Sequence, residues 1–91
     1  MPPTLNVSNP QHRIAVVDDH SIILAVFRSL VEDDADLDLA WTASCLKEAL
    51  HKIPQDSPDL LILDVSLPDG MGYDLLPFVV SNYPDTKIMM V

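Results

Sequence analysis

Basic residues are scarce in this chain. Five Lys and Arg stand against fourteen Asp and Glu, a formal net charge of -9 at pH 7. A surface so poor in positive charge lacks the footprint that a nucleic-acid backbone requires, and an anionic membrane surface would repel it. Cysteine is nearly absent. Cys45 stands alone, which excludes an intramolecular disulfide and points to a reducing compartment. Long apolar runs are missing too: the longest spans residues 22–27, far short of the ~18 residues of a membrane-crossing helix. The N-terminus has no basic segment followed by an apolar core, so no secretory signal is visible. Together these absences set the expectation of a soluble, cytoplasmic protein with no direct contact to nucleic acid or membrane.

What is present is enough for one domain. Apolar residues make up 48% of the 91, so a packed core is expected, although a domain this small buries only about 60% of its unfolded surface. Residues 1–12 carry Pro2, Pro3, Pro10, Asn6, Ser8 and Asn9 without an apolar period and read as a flexible tail. Arg13-Ile14-Ala15-Val16-Val17 reads as a buried strand that stops at Asp18-Asp19-His20. From Ser21 to Glu32, Ile23, Phe27, Leu30 and Val31 recur at helical spacing, with Ile22 and Val26 widening the stripe and Asp19 or Ser21 as cap. Leu37 to Ala43 alternates as a second, outer strand. Ser44 is placed to cap a short helix bearing Leu46, Ala49, Leu50 and Ile53, which Pro54 ends.

The stretch Leu60-Leu61-Ile62-Leu63-Asp64 is too short for a helix and suits a strand buried on both faces. A third helix is expected from 72 or 73 to 82, with Leu75, Leu76, Val79, Val80 and Tyr83 inward. Pro77 requires a kink or a late start there. Lys87-Ile88-Met89-Met90-Val91 reads as a fourth buried strand. Strict alternation of strands and helices implies a parallel sheet with right-handed crossovers and helices on both faces, an α/β fold.

In such a sheet all carboxyl ends lie on one edge, where ligands and chemistry sit. The first strand ends at Asp18-Asp19 and the third at Asp64. Each has an ordinary reading: Asp64 starts a turn, and Asp18 and Asp19 cap a helix. If the two strands are neighbours, however, three carboxylates share one crevice. Each pair then repels by about 1 to 4 kcal/mol at ~4 Å, depending on the local dielectric. A hard cation relieves that repulsion, and an oxygen-only donor set suits Mg²⁺ better than zinc. A cation beside a strand-end carboxylate is what phosphoryl transfer to Asp64 needs.

These residues resemble a known family. Arg13-Ile14-Ala15-Val16-Val17-Asp18-Asp19-His20, Leu60-Leu61-Ile62-Leu63-Asp64 and Leu67-Pro68-Asp69-Gly70-Met71-Gly72, in this order and spacing, are similar to the receiver domain of bacterial two-component response regulators. The Asp-Asp-His form resembles the branch with a C-terminal helix-turn-helix output domain. The resemblance runs from residue 13 to residue 91 and implies a CheY-like, flavodoxin-like sheet. It also implies a switch module and not an enzyme, with Asp64 accepting a phosphoryl group from a sensor histidine kinase to control a transcriptional output domain. Asp19, Asp64 and the backbone carbonyl of Ser66 would ligate Mg²⁺, with Asp18 acting through a metal-bound water. Pro68 and Gly72 match the family's loop after the phosphorylated strand.

The family also carries a hydroxyl residue at the end of the fourth strand and a lysine at the end of a fifth. The sequence stops at Val91 before both, and Lys87 lies at the wrong end of its strand to substitute. One strand–helix unit takes roughly 30 residues, so the expectation is a receiver truncated after its fourth strand. An open edge and uncovered apolar surface would favour a homodimer or a strand-exchanged oligomer. Two alternatives follow: an interaction fragment that is never phosphorylated, and a phosphatase using Asp64 as nucleophile. Haloacid-dehalogenase-like phosphatases need an acid two residues on, where this chain has Ser66.

The other chemistry-bearing residues read as ordinary. His20 is assigned to the pocket rim, and His12 and His51 to the surface. The run Asp33, Asp34, Asp36 and Asp38 lacks the Gly and terminal Glu of a calcium loop. Trp41 is assigned to packing on the outer strand, Met89 and Met90 to the core, and Cys45 to a small apolar role.

Overall fold

The computed structural model describes residues 12–91. The expected tail therefore lies outside the described residues, except for His12, which opens the first strand. Parallel strands β1 (His12–Val17), β2 (Leu37–Ala43), β3 (Leu60–Leu63) and β6 (Lys87–Met90) form a sheet in the order β2-β1-β3-β6. Between them lie α1 (Ser21–Glu32), α2 (Leu46–Lys52) and α3 (Leu76–Asn82). The chain steps outward from β1 to β2, then returns to lay β3 on the other side of β1. That reversal opens a crevice beyond the carboxyl ends of β1 and β3, the usual binding place in an open α/β sheet.

Alternation along β1 builds the two faces of the core. Ala15 and Val17 join Ala49, Ile53, Leu61, Leu63, Leu75 and Val79 under α2 and α3. Ile14 and Val16 join Ile62 and Val31 under α1, with Leu24 and Phe27 packed against them. Each fully buried Val, Leu or Ile contributes about 1.5–3 kcal/mol relative to an exposed one. β1 and β3, buried on both faces, thus form the rigid centre of the sheet.

Several sequence expectations require correction. On α1 only Ile23, Leu24, Phe27 and Val31 turn inward, and Ile22, Val26 and Leu30 face solvent. A surface helix buries one stripe about 100° wide, and seven large apolar positions overfill it. Met89 and Val80 are likewise exposed, Met89 because β6 is an edge strand with one face open. No side chain caps α1. His20 stands at its N-cap position without a capping bond to the first turn, and the Asp18 carboxylate accepts the amide of His20 itself, at 2.9 Å. Ser44 does not cap α2 either, since Cys45 holds the N-cap position. Pro77 acts as anticipated: a 3₁₀ turn covers Gly72–Leu75, and α3 starts late with the proline in its first turn.

Candidate functional site

Sheet register brings the three acids together. The Asp64 amide donates to the Val17 carbonyl at 2.9 Å, and the Asp18 amide donates to the Ala43 carbonyl at 3.0 Å. Both residues thus prolong the ladder by one step before the chain turns away. Asp18, Asp19, His20 and Asp64 each offer a ligating atom within 4.8 Å of the others. Asp18 is 4% exposed, deep in the crevice. The Asp64 side chain is 17% exposed, open to an incoming group. Ser66 lies in the loop beyond, its amide donating to Asp64 Oδ1 across 3.4 Å.

The loop is shaped to carry Asp64. A two-residue hairpin, β4 (Ser66–Leu67) with β5 (Gly70–Met71), follows at once. The Gly72 amide then closes back on the Val65 carbonyl at 2.7 Å. A Cβ on Gly72 would lie 1.9 Å from the Asp64 carbonyl oxygen, so the backbone approach itself requires glycine. Asp69 fastens the far side of the loop: its carboxylate accepts the amides of Leu46 and Lys47 at 2.8 and 2.9 Å, the first turn of α2. Those bonds hold the Asp69 carboxyl below the usual carboxylate range.

His20 lies at the crevice rim, as expected, with its side chain 65% exposed, but its ring nitrogen reaches the acids, which sequence reasoning missed. Nδ1 lies 2.7 Å from Asp18 Oδ1, 3.2 Å from Asp19 Oδ1 and 3.8 Å from Asp64 Oδ2. The His20 amide also donates to Asp18 Oδ1, at 2.9 Å. The hydrogen bond to Asp18, followed by the charges of Asp19, Asp18 and Asp64, raises the His20 pKa above its ordinary value. The Asp18-x-His20 spacing at a strand-to-helix turn was the signal that could have shown this.

The donor set fits a hard divalent cation. Three carboxylates from two adjacent strand ends offer oxygen ligands in a half-open crevice, as Mg²⁺ prefers. The helix-to-strand acids at 33–38 form no such cluster among the described residues. Asp34 Oδ1 accepts the Asp36 amide, and Asp38 pairs with Arg13.

Over residues 14–91 the sequence matches the response regulator receiver domain. The chain belongs to that family. The DNA-binding transcriptional activator DevR/DosR of Mycobacterium tuberculosis is 33% identical over 79 residues, covering 87% of this chain and 36% of that protein. The oxygen regulatory protein NreC of Staphylococcus carnosus is 34% identical over 80 residues, covering 87% of this chain and 37% of its own. The receiver chain thus spans little more than a third of the length of these relatives. Among solved structures, a LuxR-family two-component response regulator from Aurantimonas superposes with a TM-score of 0.79 at 25% identity. That match covers 88% of this chain and 57% of the other. RcsB of Salmonella enterica serovar Typhimurium superposes with a TM-score of 0.79 at 22% identity, covering 88% and 41%. The fold is the CheY-like receiver fold, and its relatives include transcription regulators. No helix among the described residues is long and apolar enough to cross a membrane.

Proposed function

We propose that this receiver domain accepts a phosphoryl group on Asp64 from the phosphohistidine of a sensor histidine kinase, with Mg²⁺ as cofactor. The observation that carries the reading is the convergence of Asp18, Asp19 and Asp64 on one crevice in a chain of this family. The Asp64 carboxylate attacks phosphorus. An O–P bond forms, the P–N bond to the kinase histidine breaks, and the departing imidazole keeps the electron pair. Asp19, Asp64 and the Ser66 carbonyl would hold the cation, with Asp18 acting through water. When bound, Mg²⁺ supplies positive charge that offsets the phosphoryl oxygens beside three carboxylates.

The domain works as a cytoplasmic switch and not as an enzyme, and its phosphorylation governs a transcriptional output domain. DevR/DosR, named as a DNA-binding transcriptional activator, supports that role. A net charge of -9 argues against DNA contact by this segment itself. A second receiver is the natural further partner, as RcsB has been seen as two dimers on two parallel DNAs.

Incubation with Mg²⁺ and acetyl phosphate or phosphoramidate, followed by intact-mass measurement, tests this reading. One phosphoryl group should be added to the wild type and none to Asp64→Asn. An unmodified wild type that still binds a kinase would reduce the chain to an interaction module. Sustained phosphate-ester turnover would make it a phosphatase.

A further inference from the structure

We propose that the His20 side chain holds the cation's place in the metal-free pocket, so that Mg²⁺ binding and departure of the imidazole are one linked equilibrium. This rests on the reading that the acidic pocket takes Mg²⁺. A single nitrogen, Nδ1, faces one oxygen from each of three carboxylates, at 2.7, 3.2 and 3.8 Å. Its N–H stands in for a cation: it points positive charge at the convergence of three acids from two strands. The neutral ring can do this too, provided its proton is on Nδ1.

The ring and the ion exclude one another. Mg²⁺ draws its oxygen ligands to about 2.0–2.1 Å and requires near-octahedral order. A nitrogen wedged among the same carboxylates blocks that closure. Packing does not fix the imidazole. The side chain is 65% exposed, and its hydrogen bond runs only to Asp18 among the described residues. Rotation outward therefore leaves it in water, while the His20 amide stays on Asp18 Oδ1 at 2.9 Å and keeps that carboxylate aimed into the crevice. The deep acid stays positioned whether or not the ring is in.

The residue thus sets the apparent affinity of the site without touching the phosphoryl group. If the ring occupies the pocket roughly nine-tenths of the time, apparent Mg²⁺ affinity falls about tenfold relative to an open pocket. Calorimetric titration of MgCl₂ into the wild-type chain, His20→Ala and His20→Asn at one pH tests this. Both variants should bind Mg²⁺ about tenfold more tightly. In the unaltered chain, saturating Mg²⁺ should move the His20 ring-nitrogen resonances to those of a water-exposed imidazole. Equal affinities, or ring resonances that do not move, overturn the proposal. Weaker binding by the variants overturns it too and makes His20 a ligand. If none of the three proteins binds Mg²⁺, the metal reading of the pocket fails first and the displacement falls with it.

Discussion

A Cβ on Gly72 would sit 1.9 Å from the carbonyl oxygen of Asp64, inside any tolerable non-bonded distance, and a tight 3.2 Å from the Leu63 side chain. Gly72→Ala must therefore push the loop away from the end of β3. Overfilling of this kind costs about 1–3 kcal/mol. We expect a lower urea midpoint with an unchanged m-value, and slower phosphorylation of Asp64, because the carboxylate shifts with its carbonyl. An alanine variant as stable and as readily modified as the wild type would contradict this. The three acids were legible in the sequence because Asp18 and Asp64 each directly follow a β-branched or leucine run that had to be a strand, with Asp19 next to Asp18. His20 was not. The Asp18-x-His20 spacing was the one hint, and spacing alone does not say whether a side chain at a helix start turns outward or back toward the pocket.

At the scale of elements, α2 shows where periodicity stops informing. Its apolar stripe was readable except at Leu50, which stands exposed, and its cap comes from Asp69, more than twenty residues away, through bonds to Leu46 and Lys47. No local window contains that pair. The hairpin β4–β5 was missed for a similar reason, since two-residue strands carry no period. Capping by Asp69 gives stability a pH signature. A carboxyl held below its ordinary value of 3.8 in the folded chain adds stability above the unfolded pKa and loses it as pH falls through the folded one. Asp69→Asn should therefore lower the urea midpoint at neutral pH, and the gap to wild type should close on acidification below 3.8. A gap that stays constant across that range would show that the Asp69 charge does not act through α2.

At the scale of the molecule, four parallel strands in the order β2-β1-β3-β6 leave β2 and β6 as edges. Ile22, Val26, Leu30, Met89 and Val91 all stand exposed in the described structure. An open strand edge beside apolar surface favours self-association, and we expect the 91-residue chain on its own to associate with rising concentration in sedimentation. A compact monomer that melts cooperatively at all concentrations would contradict this. The α/β class could be read from alternating strand and helix signals, whereas the pairing of β1 with β3 was only a condition of the site reading, since alternation does not fix strand order, and the structure supplies it. The outward face of α1 could not, since seven large apolar positions on one helix do not say which will be covered. The most direct measurement locates the phosphoryl group: treatment with Mg²⁺ and acetyl phosphate, borohydride reduction of the acyl phosphate, and sequencing of the peptides by mass. Homoserine at position 64, and only with Mg²⁺ present, is the result predicted here. Homoserine at position 18 or 19, or none under either condition, would contradict the account.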